Sequence, residues 1–123
     1  MGSQRNYDTV AFDVRDQTSM LFFAKTSDSG DIDDYLLIMR SEDPELDSSL
    51  YLEVNETLLA GHDLVRAARL TANVLVLTLF EPAKSLGGAA EIVLNFTDSD
   101  ENRHSIESGA FRVLGDLLEG GHA

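Results

Sequence analysis

The sequence predicts an α+β fold, in which one antiparallel β-sheet carries a C-terminal α-helix on one face. Up to residue 98, apolar and polar residues mostly alternate with period two, which is typical of half-buried strands. Beyond that point the apolar residues recur with period 3.6, as on one face of a helix. The 123 residues suit a single domain spanning 1–123, and a hydrophobic content of 43% suits a packed core.

Four segments in the first half of the chain predict strands. Residues 10–14 alternate cleanly, and residues 20–25 follow them after a polar turn. Residues 35–40, "YLLIMR", are apolar on both faces, which favours a central strand. In "LYLEVNE" the alternation directs Leu50, Leu52 and Val54 inward and leaves the residues between them, including Glu53, outward.

The second half adds two further strands and one ambiguous segment. Residues 74–80, "VLVLTLF", predict a strand that ends at Pro82, because proline cannot donate to a ladder, and residues 90–97 predict another. Residues 58–71 fit either a helix or a strand that feeds a turn at 71–73. We favour the strand, because Gly61 would interrupt a helix and a hairpin would give the next strand a partner. The total is about six or seven strands.

The C-terminal segment predicts a helix over residues 103–119. Its apolar stripe is expected to bury Ile106, Val113, Leu114 and Leu117. Acidic residues precede it, where carboxylates favour a helix N-terminus, and Gly120 follows it. The two ends of the chain, 1–7 and 120–123, are expected to be flexible.

Charge and composition exclude several classes of function. Nine Lys and Arg residues against 22 Asp and Glu residues give a net charge of −13, which repels nucleic acid and anionic membranes. The same charge would attract a basic partner, or it would serve solubility alone. The chain has no cysteine, no apolar run long enough to span a membrane and no signal-peptide core. These features predict a cytoplasmic protein.

The residue patterns offer no catalytic or metal centre. Asp28, Asp31 and Asp33 lack the spacing of a calcium-binding loop, and Gly30 comes too early in it. His104 and Glu107 share one helix face, which is at most half of a metal site. We therefore predict no cofactor, no metal and no catalytic residue, and a protein that is not an enzyme.

The order of the segments is more informative than any motif. "DDYLLIMRS", "LYLEVNE", "LVRAARLTANVLVLTLF", "AEIVLNF" and a terminal helix follow one another. Over about residues 20–118 this order resembles the immunity protein 10 family of bacterial polymorphic toxin systems. The resemblance implies an intracellular α+β protein that binds and neutralises a cognate toxin. The charge would suit a basic toxin.

Two acidic groups flank the predicted central strand. The turn before it holds Asp28, Asp31, Asp33 and Asp34, which we expect to be mainly solvated. The longer loop after it contains Pro44 and leads towards the outward Glu53. We predict that the partner-binding residues are Glu42, Asp43, Glu45, Asp47 and Glu53.

Two other functions remain open at this stage. A small-ligand-binding or enzymatic α+β domain would have a pocket between the sheet and the helix. A structural protein would pair through an exposed sheet edge, so a homodimer is also left open.

Overall fold

A computed structural model describes residues 2–43, 45, 49–55 and 58–119. These residues form nine strands, one α-helix and two 3-10 segments. The strands are β1 (Gly2–Tyr7), β2 (Thr9–Arg15), β3 (Thr18–Thr26), β4 (Ile32–Ser41), β5 (Tyr51–Val54), β6 (Leu59–His62), β7 (Val65–Thr71), β8 (Val74–Ala83) and β9 (Ala89–Phe96). The helix α1 is Asp100–Leu114, and the 3-10 segments are Lys84–Leu86 and Gly115–Leu117.

The strands of the described chain form two sheets. The five-stranded sheet has the order β2-β3-β4-β5-β6 and is antiparallel throughout. The four-stranded sheet has the order β1-β9-β8-β7, and β1 runs parallel to β9 while the other pairs are antiparallel. The predicted α+β class is confirmed, but the single antiparallel sheet of six or seven strands is wrong. Alternation locates strands, whereas it does not say which strands pair.

Strand β1 corrects the expectation that residues 1–7 form a flexible end. Residues 2–7 pair with β9, and the side chain of Tyr7 is only 3% exposed. Its ring centroid lies 6.0 Å from that of Phe23 in the five-stranded sheet. Arg5 also donates two hydrogen bonds of 2.7 Å to the carboxylate of Asp34. Residues 2–7 are polar apart from Tyr7, so they show no period-two alternation of apolar residues from which a strand could be predicted. Residues 120–123 lie outside the described residues.

The ambiguous segment 58–71 contains strands, as favoured. Strand β7 pairs with β8 through a tight connection in which Ala72 has a φ of 51°. Strand β8 does not end at Pro82, however, but continues to Ala83. Its pairing with β9 is interrupted between Thr78 and Ala83, so Pro82 occupies a stretch that needs no ladder hydrogen bond.

Both sheets and the helix contribute to one hydrophobic core. The predicted inward residues of β5, and alternate residues of the central strands β4 and β8, are buried. Helix α1 buries Ile106, Val113 and Leu114 as predicted, while Leu117 is partly buried in the 3-10 segment. The predicted bounds 103–119 are wrong at both ends. The helix begins at Asp100, directly after the N-cap Ser99, and it ends before the C-cap Gly115, which has a φ of 56°.

The N-terminal turn of α1 is joined to both sheets by one buried side chain. Ser99 caps the helix by accepting a hydrogen bond of 3.1 Å from the backbone N–H of Asn102. The Asn102 amide accepts a bond of 2.9 Å from the Val10 N–H and donates to the carbonyls of Asp8 and Thr97. These bonds fix the helix beside the start of β2 and the end of β9.

Farther along, the backbone of α1 at Gly109 lies directly against the Phe12 ring of β2. A Cβ atom added at Gly109 would lie 2.3 Å from the Cδ1 atom of Phe12, which is far inside van der Waals contact. Glycine is therefore required at this position by the close approach of the helix to the Phe12 ring.

We expect Gly109→Ala to destabilise the protein by about 1–3 kcal/mol, because the new methyl group displaces the Phe12 ring. The control is Ser108→Ala, an exposed helical position where alanine should gain a few tenths of a kcal/mol. Urea unfolding monitored by circular dichroism measures both. A Gly109→Ala protein as stable as the Ser108→Ala protein would contradict the close contact.

Candidate functional site

One face of the five-stranded sheet points away from the core. The strand register aligns its residues in two rows that cross all five strands. We call this surface the outer face, and its rows are Asp13, Met20, Met39, Tyr51, His62 and Ala11, Phe22, Leu37, Glu53, Ala60. Tyr35, two residues before Leu37 on β4, extends the same side.

The two rows differ in burial from the residues that alternate with them. Every one of the ten side chains is at least partly exposed. The alternating residues Leu21, Ile38 and Leu52, by contrast, are 0% exposed. Met20, Phe22, Leu37 and Met39 are thus partly exposed on the outer face, whereas the more exposed large apolar side chains of the described residues, Ile32, Phe80 and Phe111, lie outside its two rows.

Glu53 occupies the interior of the outer face and is held by two tyrosines. The Tyr35 hydroxyl donates a short hydrogen bond to Oε2, and the Tyr51 hydroxyl donates one of 2.7 Å to Oε1. These bonds, with Tyr35 contributing more than Tyr51, lower the pKa of Glu53. The hydrogen bond to the carboxylate likewise raises the pKa of Tyr51. The sheet therefore displays an ionised, oriented carboxylate among aromatic rings.

Ring contacts restrict both tyrosines further. Tyr35 stacks on Phe22, with ring centroids 5.6 Å apart, and Tyr51 lies 5.1 Å from the ring of His62. His62 Nδ1 is in turn 3.0 Å from Ser49 Oγ. Glu53 is thus preorganised by neighbours that are themselves fixed.

The predicted partner-binding residues do not form one group. Glu42, Asp43 and Glu45 lie together after β4, whereas Glu53 pairs with Leu37, four residues earlier than Ser41 and so ~13 Å along the strand. Asp47 lies outside the described residues.

The acidic residues after β4 also differ in whether their carboxylates are paired with other groups. Both carboxylate oxygens of Glu42 accept hydrogen bonds from Arg112, at 2.6 and 2.8 Å, and this contact lowers the pKa of Glu42. Its charge is therefore largely neutralised by α1. Asp43 caps the backbone N–H of Glu45 at 2.9 Å, and Glu45 is exposed.

The acidic turn before β4 is exposed at Asp28, Asp31 and Asp33. The Asp31 carboxylate accepts a hydrogen bond from Ser29, and its backbone N–H donates to Ser27, so the turn is closed by its own groups. Asp34 instead faces inward and pairs with Arg5. In the described part of the chain, no three His, Asp or Glu side chains come together as a metal-binding group.

Cavities occur at the edge where β6, β7 and the end of β8 meet. One of about 600 Å³ is lined by Leu59, Leu64 and Phe80 among others. A second, of about 370 Å³, lies between Arg40, Val65 and Leu117. Only the second touches the segment that follows the helix, so a ligand pocket between sheet and helix stays a prediction.

No protein-family model and no curated protein sequence matches the chain. The likeness to immunity proteins therefore remains a prediction, as do the toxin and the proposed partner surface. None of the helices in the described part of the chain has the length and apolar character needed to cross a bilayer.

Sequence reasoning found part of this site and missed the rest. Alternation directed Tyr51 and Glu53 outward, and both lie on the outer face. The roles of Tyr35 and Phe22 were missed, since only the pairing of β4 with β5 brings Tyr35 to Glu53. The sequence did contain one indication of this surface. Residues 35–40 are apolar on both faces of the strand, so a sheet that is covered on only one side leaves apolar residues of this strand on its open side.

We expect Glu53→Gln to lower the pKa of Tyr51, because the negative carboxylate stabilises the protonated phenol. The titration of Tyr51 can be followed by carbon NMR of labelled tyrosine rings. Since the pKa of Tyr51 is raised on folding, the stabilisation from this contact is present at neutral pH and is lost as pH rises above about 10. An unchanged Tyr51 titration in Glu53→Gln would contradict the hydrogen bond, and Glu91→Gln serves as the control.

Proposed function

We propose that this chain is a non-enzymatic, cytoplasmic immunity protein that binds and neutralises a cognate toxin through its outer face. The observation that carries the proposal is Glu53, a carboxylate clamped by Tyr35 and Tyr51 within a partly exposed apolar surface. The resemblance over residues 20–118 supports the role, and the net charge of −13 supports a basic partner.

The composition of the outer face suits protein binding. Aromatic side chains and methionine are enriched at the centres of interfaces, where their rigid or adaptable surfaces exclude water. Met20, Phe22, Leu37 and Met39 supply such a surface on a sheet that the core holds in place. A partner that covers them would remove apolar area from water, which favours association.

Glu53 gives this apolar surface its selectivity. Each of its oxygens accepts one tyrosine hydroxyl, and a carboxylate oxygen can accept two bonds. The remaining positions can receive an arginine or lysine of the toxin, and the surrounding rings favour a cation as well. An acidic partner would instead bury like charges against Glu53.

The predicted acidic loop after β4 has a different role from Glu53, because its charges act on a partner at longer range. Asp43 and Glu45 are not neutralised by an ion pair among the described residues, whereas Glu42 is held by Arg112. Glu45 is exposed and Asp43 partly exposed, and charges in contact with solvent raise association rates more than they hold a complex together. We assign them to steering a basic toxin towards the outer face, together with Asp47.

The proposal predicts that a neighbouring reading frame encodes a protein with a toxin-like C-terminal domain, and it is tested by co-expressing the chain with that domain. Wild-type protein should restore growth, and Glu53→Lys should weaken binding about 30-fold or more and abolish protection, as loss of an interface hot spot does. The control is Glu91→Lys, a half-buried glutamate on β9 of the other sheet, which should protect like wild type. The proposal would be overturned if the wild-type protein failed to neutralise that toxin domain. It would also be overturned if no neighbouring gene encoded a toxin-like protein.

We expect charge reversal at Asp43 and Glu45 to slow association several-fold and to weaken its salt dependence. Association rates from stopped-flow fluorescence at several salt concentrations measure this with the purified toxin domain. Asp31→Lys/Asp33→Lys is the matched control, because it reverses two exposed charges at the other end of β4. If only that control pair slows association, steering comes from the turn before β4 instead.

A further inference from the structure

The outer face contains a recess on the side of Glu53 that is opposite Tyr35. The recess has a volume of about 280 Å³. Its wall consists of Met39, Tyr51 and His62 from one row of the outer face, together with Thr18, Arg40, Ser41 and Ser49. A pit of this size in a proposed interface can receive a side chain of the partner.

The wall of the recess is mainly apolar, with hydroxyl groups at several points. The Tyr51 and His62 rings lie 5.1 Å apart between centroids, and His62 Nδ1 is 3.0 Å from Ser49 Oγ. These contacts hold the two rings in place. An aromatic ring with a hydroxyl group suits such a wall, because its body packs against apolar surface and its polar end needs a hydrogen-bond partner.

The recess and Glu53 differ in charge although they are neighbours. None of the described residues that line the recess is acidic, so a cation inside it would have no counter-ion. Glu53 lies two residues along β5 from Tyr51, about 7 Å between Cα atoms. The Tyr51 hydroxyl also donates a hydrogen bond of 2.7 Å to Glu53 Oε1. A ligand that fits both positions therefore has a neutral ring for the recess and a cation close to that ring.

The volume of the recess favours a single side chain as the occupant. The value of about 280 Å³ lies just below the roughly 300–1,000 Å³ typical of small-molecule sites. Tyrosine is one of the residues enriched among interface hot spots, which fill pockets near the centre of an interface. With only two side-chain torsions to fix, it also loses little conformational entropy on binding.

We propose that the recess accepts a tyrosine side chain of the toxin, while Glu53 pairs with an arginine or lysine close to that tyrosine. The inference rests on the proposed function and adds the chemistry of the toxin segment that the outer face recognises. The ring packs against Met39 and Tyr51, and its hydroxyl group bonds to a hydroxyl of the recess wall. The basic group donates to the positions on the Glu53 carboxylate that the two tyrosines leave open.

The two positions can be tested without the toxin by NMR titration of the full chain with tyramine, which joins a phenol ring to an ammonium group through a two-carbon chain. Tyramine should bind with saturation and shift the backbone amide signals of Met39, Tyr51 and Glu53. 4-Ethylphenol lacks the ammonium group and should bind about fivefold more weakly, as loss of an exposed ion pair implies. 3-(4-Hydroxyphenyl)propanoate should bind more weakly still, because its carboxylate is repelled by Glu53.

Two variants separate the recess from the carboxylate. Glu53→Gln should weaken tyramine binding about fivefold and leave 4-ethylphenol binding unchanged, because only tyramine uses the charge. Thr18→Tyr places a ring of its own in the recess and should abolish binding of both compounds. The controls are Glu91→Gln and Thr71→Tyr, the latter at an exposed residue of β7 in the other sheet, and both should bind like wild type. Circular dichroism checks that each variant is folded.

Equal affinity of the wild-type protein for tyramine and 4-ethylphenol would overturn the pairing with Glu53. Unchanged tyramine binding by Thr18→Tyr, or no tyramine binding by the wild-type protein, would overturn the tyrosine site. None of these results contradicts the proposed function, because protection of cells against the toxin domain is measured separately by co-expression.

Discussion

The amide of Asn102 is the interaction on which the arrangement of the fold depends. It accepts from the Val10 N–H at the start of β2 and donates to Asp8, where the chain crosses from one sheet to the other. It also donates to Thr97, at 2.8 Å, where β9 ends. The residue is 4% exposed, and a buried amide whose oxygen and both N–H groups are hydrogen-bonded stabilises a fold more than one with an unsatisfied donor. One side chain thereby positions α1 relative to both sheets.

The fixed position of α1 determines which surface of the five-stranded sheet is left open. The helix packs against β2, β3 and β4, and its close approach to Phe12 at Gly109 leaves no room for a side chain. The helix thus covers inward residues of β2, β3 and β4, while the ten residues of the outer face, on the opposite side, stay at least partly exposed. A sheet with one covered side and one partly exposed side that carries apolar residues is a suitable base for a protein interface, because little order has to be gained on binding.

Much of the fold could be predicted from the sequence, whereas the pairing of its strands could not. Period-two alternation located β5 and β8, and the 3.6 period located α1, because each pattern is local to its element. Strand β1 escaped notice since its stability comes from Tyr7 packing on Phe23 and from Arg5 binding Asp34, contacts that span many residues of sequence.

The same limit applies to the candidate site. Glu53 was expected to point outward and does so, but its separation from Glu42 and its clamp by Tyr35 depend on the register of β4 against β5. A charge count describes the whole chain, whereas the pairing of Glu42 with Arg112 is visible only in the structure.

We propose that a toxin would contact the outer face rather than the sheet edge or the helix. Amide hydrogen exchange of the chain, compared with and without its toxin domain, measures this most directly. We expect added protection in β3, β4 and β5 around Phe22, Leu37 and Glu53, with little change in α1. Protection confined to α1 or to the β7–β8 hairpin would contradict it.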